Sequence, residues 1–244
     1  VTSLLPLIAD EGGVVAVRKP PGLPVVAGTG HDADACVRGR LERELGVRLW
    51  VVHRLDRDTS GVLLFARTPE VHRALCLAFE ERRVRKTYVA FTLGVPDGRD
   101  GRITTPLHPA RRGKVRPALP GEAGAWDTIT RYVVRKRWAR GAGAVALIDA
   151  HPETGRHHQI RAHLRSVGTP VLFDPLYGRR PAPEFDTSPT RRLALHASRL
   201  LVPAGLCADQ PLAFEAPLPA DLTALLHWLD AGWTEEGGPT SWPG

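Results

Sequence analysis

The sequence predicts an α+β fold, with a mixed, largely antiparallel central sheet flanked by helices and loops. Three observations carry this prediction. Short apolar runs recur along the chain, at 14–20 (VVAVRKP), 61–67 (GVLLFAR), 86–95 (KTYVAFTLGV) and 193–202 (LALHASRLLV). Only four stretches have helical spacing, at 34–45, 68–86, 154–168 and 221–230. Regular crossovers are few, and a hairpin joins two further strands around 126–134 and 144–150, which favours antiparallel pairing. With no internal repeat and no interdomain linker, a single domain over 1–244 with a core of about 12–232 is expected.

Each element has a local reason. VVAVRKP ends at Pro20 and Pro21, which lack the N–H that a ladder needs, and PPGLPVVAGTG continues as a rigid turn and loop. Val37, Leu41 and Leu45 stand at i, i+4 and i+8, the spacing of an amphipathic helix from Asp34 to Leu45 with Gly46 as its stop. In TPEVHRALCLAFEERRVRK, Thr68 is placed to cap the first N–H groups, and Pro69 takes the first position, where a missing N–H costs nothing. Val71, Leu75, Ala78 and Phe79 line the buried face of that helix. The strand KTYVAFTLGV is entered directly from the basic cluster Arg82, Arg83, Arg85 and Lys86.

Residues 96–124 are rich in Gly, Pro and Arg, lack a usable period and read as a long irregular excursion. RKRWARGAG reads as a basic hairpin with a Gly-rich turn. TGRHHQIRAHLRSVG, 154–168, reads as a helix with Ile160, Leu164 and Val167 on one face and Gly168 as its stop. TPVLFDPLYG is loop with apolar anchors, and DLTALLHWLD is a last helix before a frayed EEGGPTSWPG.

The 244 residues are 43% apolar and 24% charged, the usage of a soluble globular protein with a sizeable core. No apolar run approaches the roughly 18 residues of a membrane span, and LLPLIAD has neither the basic lead nor the length of a secretory signal. Cys36, Cys76 and Cys207 are far apart and give neither a disulfide framework nor a zinc spacing. A reducing cytoplasm is therefore expected, with no membrane partner. The net charge is +7, unevenly spread: residues 203–244 hold six acidic residues and no Lys or Arg, leaving 33 basic against 20 acidic residues, a net +13, on the first 202. A basic body with an acidic end suggests a bound polyanion, nucleic acid first.

The chemistry concentrates in VVHRLDRDTSG, residues 51–61. Asp56 stands there among His53, Arg54 and Arg57, five residues before the GVLLFAR strand, and Gly61 relaxes the backbone between. Surrounding cations favour the charged carboxylate and lower its pKa, which suits a nucleophile or a charge stabiliser and not a general acid. The plainer account, a capping aspartate with surface ion pairs, suits Asp58, which with Thr59 and Ser60 reads as the turn that fixes the loop to its strand. Further along, His157, Arg161 and Arg165 form a polar stripe; solvation explains Arg165, whereas Arg161, next to Ile160, is placed to reach into a cleft.

His157, His158, His163 and His196 lack the H-E-x-x-H form and have no cysteine near them, so no metal is expected. The glycines of PPGLPVVAGTG match neither a dinucleotide nor a phosphate-loop pattern. The arginine clusters at 82–86, 111–116 and 131–140 read as phosphate contacts. Tyr88 reads either as a half-buried strand aromatic or as the ring on which an exposed base stacks.

Five blocks in order now carry a resemblance. HRLDRDTSGVLLFAR resembles the signature of the RluA-like RNA pseudouridine synthases. VVAVRKPPGLPV resembles that family's lysine-proline block, RKTYVA its lysine-x-tyrosine block, GRHHQIRAHL its arginine-bearing helix, and LALHASRL with FEAPLP its C-terminal strands. Together they extend from about residue 14 to 219.

The resemblance implies a pseudouridine synthase fold and the isomerisation of specific uridines in ribosomal or transfer RNA to pseudouridine, with no cofactor and no metal. A monomer is expected and, because the first block begins near residue 14, no separate N-terminal RNA-binding domain of the kind many members carry. Asp56 falls on the catalytic aspartate, acting at the sugar either as nucleophile or by promoting a glycal-like intermediate. Tyr88 falls on the tyrosine that stacks on the uracil, and Arg161 on the arginine that pairs with the catalytic carboxylate. Arg54 falls on the arginine that enters the stack to hold the flipped-out state. Lys19, Lys86, His53, His158, Gln159 and His196 are the further substrate-binding candidates within the blocks. RNA-backbone contacts are assigned to Arg82, Arg83, Arg85, Arg111, Arg112, Lys114, Arg116, Arg135, Lys136 and Arg137.

The chain departs from the family pattern at His157, where threonine is usual, at Phe173, where glycine commonly precedes the aspartate (here Asp174), and at Arg18, often asparagine. A class-different alternative is an inactive RNA-binding or RNA-chaperone protein of the same fold, against which the joint presence of Asp56, Tyr88 and Arg161 argues.

Overall fold

The computed structural model describes residues 5–28, 33–179 and 183–236. The predicted fraying falls largely on residues 237–244, outside the described residues. In chain order the elements are β1 (Leu7–Glu11), β2 (Val14–Lys19), α1 (Val37–Leu45), β3 (Trp50–Val51), β4 (Ser60–Ala66), α2 (Pro69–Glu80) and β5 (Arg85–Leu93). There follow β6 (Asp100–Ile103), β7 (Leu107–Pro109), β8 (Val115–Pro117), β9 (Thr130–Arg140), β10 (Gly143–Pro152) and α3 (Gln159–Ser166). The last are β11 (Leu195–Val202), β12 (Leu212–Glu215), α4 (Ala220–Gly232) and β13 (Thr234–Glu235). The pairing is mixed and mostly antiparallel, which makes the fold α+β.

The chain divides into two compact units, residues 1–87 with 196–217, and 88–195 with 218–244. In the first unit β4 lies at the centre. It pairs antiparallel with β2, which pairs with β1, and parallel with β11, which pairs antiparallel with β12. Every residue of β4 is buried, which explains its unbroken apolar run. Val71, Leu75, Ala78 and Phe79 of α2 pack with Val62, Leu64 and Ala66, the face that the spacing predicts. The Thr68 hydroxyl accepts the Val71 N–H, and Pro69 sits at the first position.

α1 starts later than its spacing predicts, at Val37, because the Cys36 sulfur accepts the Gly39 N–H and ends the preceding turn; Gly46 at φ 65° stops it. All three cysteines are free. β1, which no clear apolar pattern marks, adds an edge strand to β2.

In the second unit β10 lies between β5 and β9, and β9 also carries β6 and β13, all antiparallel. β9 runs six residues past its predicted end, to Arg140. The basic segment RKRWAR is strand, with Trp138 fully buried while Arg135, Lys136 and Arg137 stay partly exposed. The excursion at 96–124 contains β6 and the separate two-stranded hairpin β7–β8, too short and too rich in Gly and Pro to show a period.

α3 begins at Gln159, not 154. His158 takes a left-handed φ of 53°, and the Gln159 side chain accepts from the Thr154 hydroxyl and the Arg156 N–H, so the preceding residues turn. Its end follows the prediction. The Thr169 N–H reaches the Leu164 carbonyl and the Gly168 N–H the Arg165 carbonyl, a Schellman closure around Gly168 at φ 83°. Val167 therefore lies beyond the helix and is 45% exposed, contrary to its predicted place beside Ile160 and Leu164. No helix among the described residues is long and apolar enough to cross a membrane.

Candidate active site

Asp56 sits half-buried on the loop between β3 and β4, and the groups around it fix the backbone on both flanks. Upstream, the ring of His53 stacks on Phe79 at 4.8 Å, and its Nε2 accepts the Leu64 N–H at 3.1 Å. Burial, and then the charge of Lys86, hold that imidazole down at a pKa of about 3, so it stays a neutral acceptor. Downstream, the Thr59 N–H closes on the Asp56 carbonyl at 3.1 Å, which centres a turn on Arg57 and Asp58, one residue earlier than the expected Asp58–Thr59–Ser60 turn, since Ser60 already belongs to β4.

Lys19 completes the clamp. Its side chain is 1% exposed, and its ammonium donates to the Arg57 carbonyl at 2.7 Å and the Pro20 carbonyl at 2.8 Å. The Arg57 guanidinium in turn donates to the Gly22 carbonyl at 2.9 Å. At the base of the loop the Ser60 hydroxyl meets His196 Nδ1 at 2.9 Å. His196 Nε2 faces the Ala216 carbonyl at 3.0 Å, which can only accept, so Nδ1 accepts from Ser60. Lys19, His53 and His196, expected to touch substrate, are thus engaged in holding the loop. Arg54 is exposed, and its guanidinium has no partner among the described residues. Lys86 is half-buried, and burial with the nearby Arg82 charge lowers its pKa to about 8.

In the second unit Arg161 is anchored by a residue that the sequence reading named only as the neighbour of Phe173. Its Nε and Nη2 donate to the two oxygens of Asp174 at 2.7 and 2.8 Å, and the two side chains are 3% and 0% exposed. Burial opposes the charge on Asp174, but the Arg161 hydrogen bonds and charge outweigh it, helped by the Leu176 and Tyr177 N–H groups; its pKa lies below the usual range. The guanidinium also lies 5.2 Å over the Tyr177 ring.

Asp174 and Tyr177 stand in DPLYG, where an aspartate before a proline was the signal for a turn rich in backbone acceptance. Phe173, the departure from glycine, keeps a left-handed φ of 58°, with its ring edge-on to Phe185 at 6.1 Å. Gln159 is buried, its amide donating to Ile129 and Thr130, and His158 Nδ1 lies 3.0 Å from the Tyr177 hydroxyl. Both therefore serve the turn before α3. Tyr88 is half-buried on β5 against the core of this unit.

The basic clusters divide into engaged and open groups. Arg135 pairs with Asp149, Lys136 with Asp230 and Glu235, Arg116 with Glu122, and Arg83 with Glu81, while Arg137 donates to the Gly98 carbonyl. Lys114 reaches the Leu176 carbonyl at 3.3 Å. Arg82, Arg85, Arg111 and Arg112 are exposed, with no side-chain partner among the described residues.

The chain matches the family model described as RNA pseudouridylate synthase over residues 13–166. It is 34% identical over 232 residues to the ribosomal large subunit pseudouridine synthase D of Nitrosomonas europaea, covering 91% of this chain and 64% of that protein. An uncharacterised RNA pseudouridine synthase of Zymomonas mobilis is 35% identical over 219 residues, covering 88% of this chain and 94% of that one. The chain thus spans a little under two-thirds of the first relative and nearly all of the second. Among solved structures, human RNA pseudouridylate synthase domain containing 4 superposes with a TM-score of 0.75 at 25% identity, over 96% of this chain and 95% of that one. The chain has the pseudouridine synthase fold and belongs to the RNA pseudouridylate synthase family.

Proposed function

We propose that this protein is an RNA pseudouridine synthase that converts specific uridines of ribosomal or transfer RNA to pseudouridine, with Asp56 as the catalytic carboxylate. The observation that carries the reading is the loop clamp around Asp56. A buried ammonium, a neutral histidine acceptor and a closed turn fix the backbone on either side of a carboxylate that itself remains half-exposed. Such a clamp positions one acid at a reacting atom, where an ångström of misplacement is costly. The names of the longer relatives favour ribosomal RNA of the large subunit as the target.

Isomerisation conserves every atom of the nucleoside, so the base is detached from carbon C1′ and rejoined through carbon without an oxidant or reductant. The nucleophilic and glycal routes both begin with the Asp56 side chain at the sugar. The resemblance assigns Tyr88 to stacking on the uracil and Arg161 to the catalytic carboxylate, while Nε and Nη2 of Arg161 hold Asp174. The extruded base costs a few kcal/mol, which phosphate and stacking contacts supply. Arg54, exposed on the same loop, is the candidate to fill the vacated stack.

The test is incubation of the protein with unmodified transcripts of large-subunit ribosomal RNA and of transfer RNAs. Pseudouridine is then read as carbodiimide adducts that stop reverse transcription. New stops at discrete uridines are expected. Full-length product throughout, from protein that binds the same RNA, favours the non-catalytic RNA-binding alternative.

A further inference from the structure

The hairpin β7–β8 forms a sheet of its own, and its buried side, Leu107 and Val115, packs with Trp126, Ala162 and Tyr177. Its tip closes through the Ala110 N–H to the Lys114 carbonyl at 2.8 Å and carries Arg112 at a left-handed φ of 58°. Two of its basic side chains are engaged, Arg116 by Glu122 and Lys114 by the Leu176 carbonyl. Arg111 and Arg112 are exposed and unpaired among the described residues, which leaves two guanidiniums at the apex.

Beyond its apex the hairpin is held by a reciprocal pair of backbone bonds between Leu107 and Trp126 at 3.0 and 2.7 Å, by the Val115 N–H donating to the Tyr177 hydroxyl at 2.8 Å, and by Lys114 reaching the Leu176 carbonyl. His157 makes the contact at the apex itself, its Nε2 lying 3.0 Å from the Gly113 carbonyl. That carbonyl only accepts, so Nε2 carries the hydrogen. The imidazole is stacked at 3.6 Å on His158, whose Nδ1 meets the Tyr177 hydroxyl. The apex is thereby fastened to the turn that opens α3, four residues before Arg161. Threonine, the usual residue of the resembling family at this position, is too short to hold a ring in that stack.

We propose that His157 is a positioning residue that holds the Arg111–Arg112 apex in the orientation in which it grips RNA phosphates. The proposal rests on the RNA-directed reading above and deepens it. A guanidinium pair on a tethered turn meets successive phosphates with less ordering cost than one on a free loop.

The test is a mutant cycle read by RNA affinity and by turnover, using an unmodified large-subunit ribosomal transcript that the protein binds. Loss of one hydrogen bond at a partly exposed site corresponds to about a 3- to 10-fold change. His157→Ala is expected to raise Kd and KM by that factor. His157→Gln, whose amide can donate to the same carbonyl, is expected to restore most of it. In an Arg111→Ala/Arg112→Ala background His157→Ala is expected to add nothing.

An unchanged Kd in His157→Ala overturns the proposal, as does the same loss in both backgrounds, since a structural role does not depend on the arginines. If the wild type binds but turns over no uridine, the Kd cycle still decides this proposal while the isomerase reading falls.

Discussion

Lys19 has given up the hydration of an ammonium and recovers it from two backbone carbonyls, one of them in the turn after Asp56. Charge-assisted hydrogen bonds of this kind are worth about 1.5–3 kcal/mol each. Lys19→Met, which keeps the bulk and removes the donors, is expected to lower unfolding free energy by about 2 kcal/mol and kcat by more than about tenfold. RNA affinity should stay near the wild type, whereas a substrate-binding lysine would show the reverse pattern. Chemical denaturation with steady-state kinetics separates the two.

His53 supplies a pH prediction. Its folded-state pKa of about 3 lies below that of a free histidine, because of burial and then Lys86. The unfolded chain therefore takes up the proton first, so stability is full above about pH 6.5 and declines as pH falls toward 3. His163, also lowered mainly by burial, adds to the same slope. His53→Gln, which offers an oxygen to the Leu64 N–H, should flatten the dependence between those limits without abolishing it; an unchanged slope of urea midpoints between pH 7.5 and 5 would contradict this.

The turn around Asp58 was legible in sequence because its residues are contiguous. The Arg161–Asp174 pair was legible only on one side, since its partners come from a helix and a loop that no periodicity connects.

Among the elements, β4 shows how one residue sets a strand. Gly61 has φ 120°, and a Cβ there would lie 2.6 Å from the Ala197 nitrogen and closer still to the Ala197 carbonyl. The close parallel approach of β11 to β4 at Ser60 and Gly61 requires the missing side chain. Gly61→Ala is expected to cost more than about 3 kcal/mol, or to leave the protein insoluble, as judged by thermal melts of soluble fractions. The sequence reading placed a relaxed backbone here, and the structure supplies a stricter reason, the neighbouring strand.

Helix ends with a side-chain or glycine signal, at Thr68, Gly46 and Gly168, were legible. The start of α3 was not, since it depends on Gln159 folding back onto Thr154 and Arg156. β6, β7 and β8 escaped detection because three or four residues cannot display a period, and β9 because its charges masked the inward Trp138.

For the molecule as a whole, the uneven charge has a structural outlet within the second unit. Asp230 and Glu235, from the acidic end of the chain, neutralise Lys136, and Asp221 takes Arg192. The basic run in β9 thus contributes less to an RNA-facing field than its composition suggests. Each phosphate neutralised adds roughly 0.7–0.9 to the slope of log Kd against log salt. Arg82→Ala is expected to lower that slope by about one, while Lys136→Ala, already paired, leaves it unchanged; equal effects in a salt titration would contradict the division into open and engaged cations. Charge totals were readable from composition, but which cations are already spent depends on cross-strand and helix contacts.

The central claim is that Asp56 does the chemistry while the surrounding clamp only places it. Asp56→Asn keeps the size of the side chain and removes its charge. Pseudouridine formed by this variant in a transcript modified by the wild type is the direct measurement, with RNA binding followed in parallel. The account predicts loss of adduct stops by more than about 1,000-fold in rate, with Kd within a few-fold of wild type. Pseudouridine formation at a rate near the wild type would contradict it.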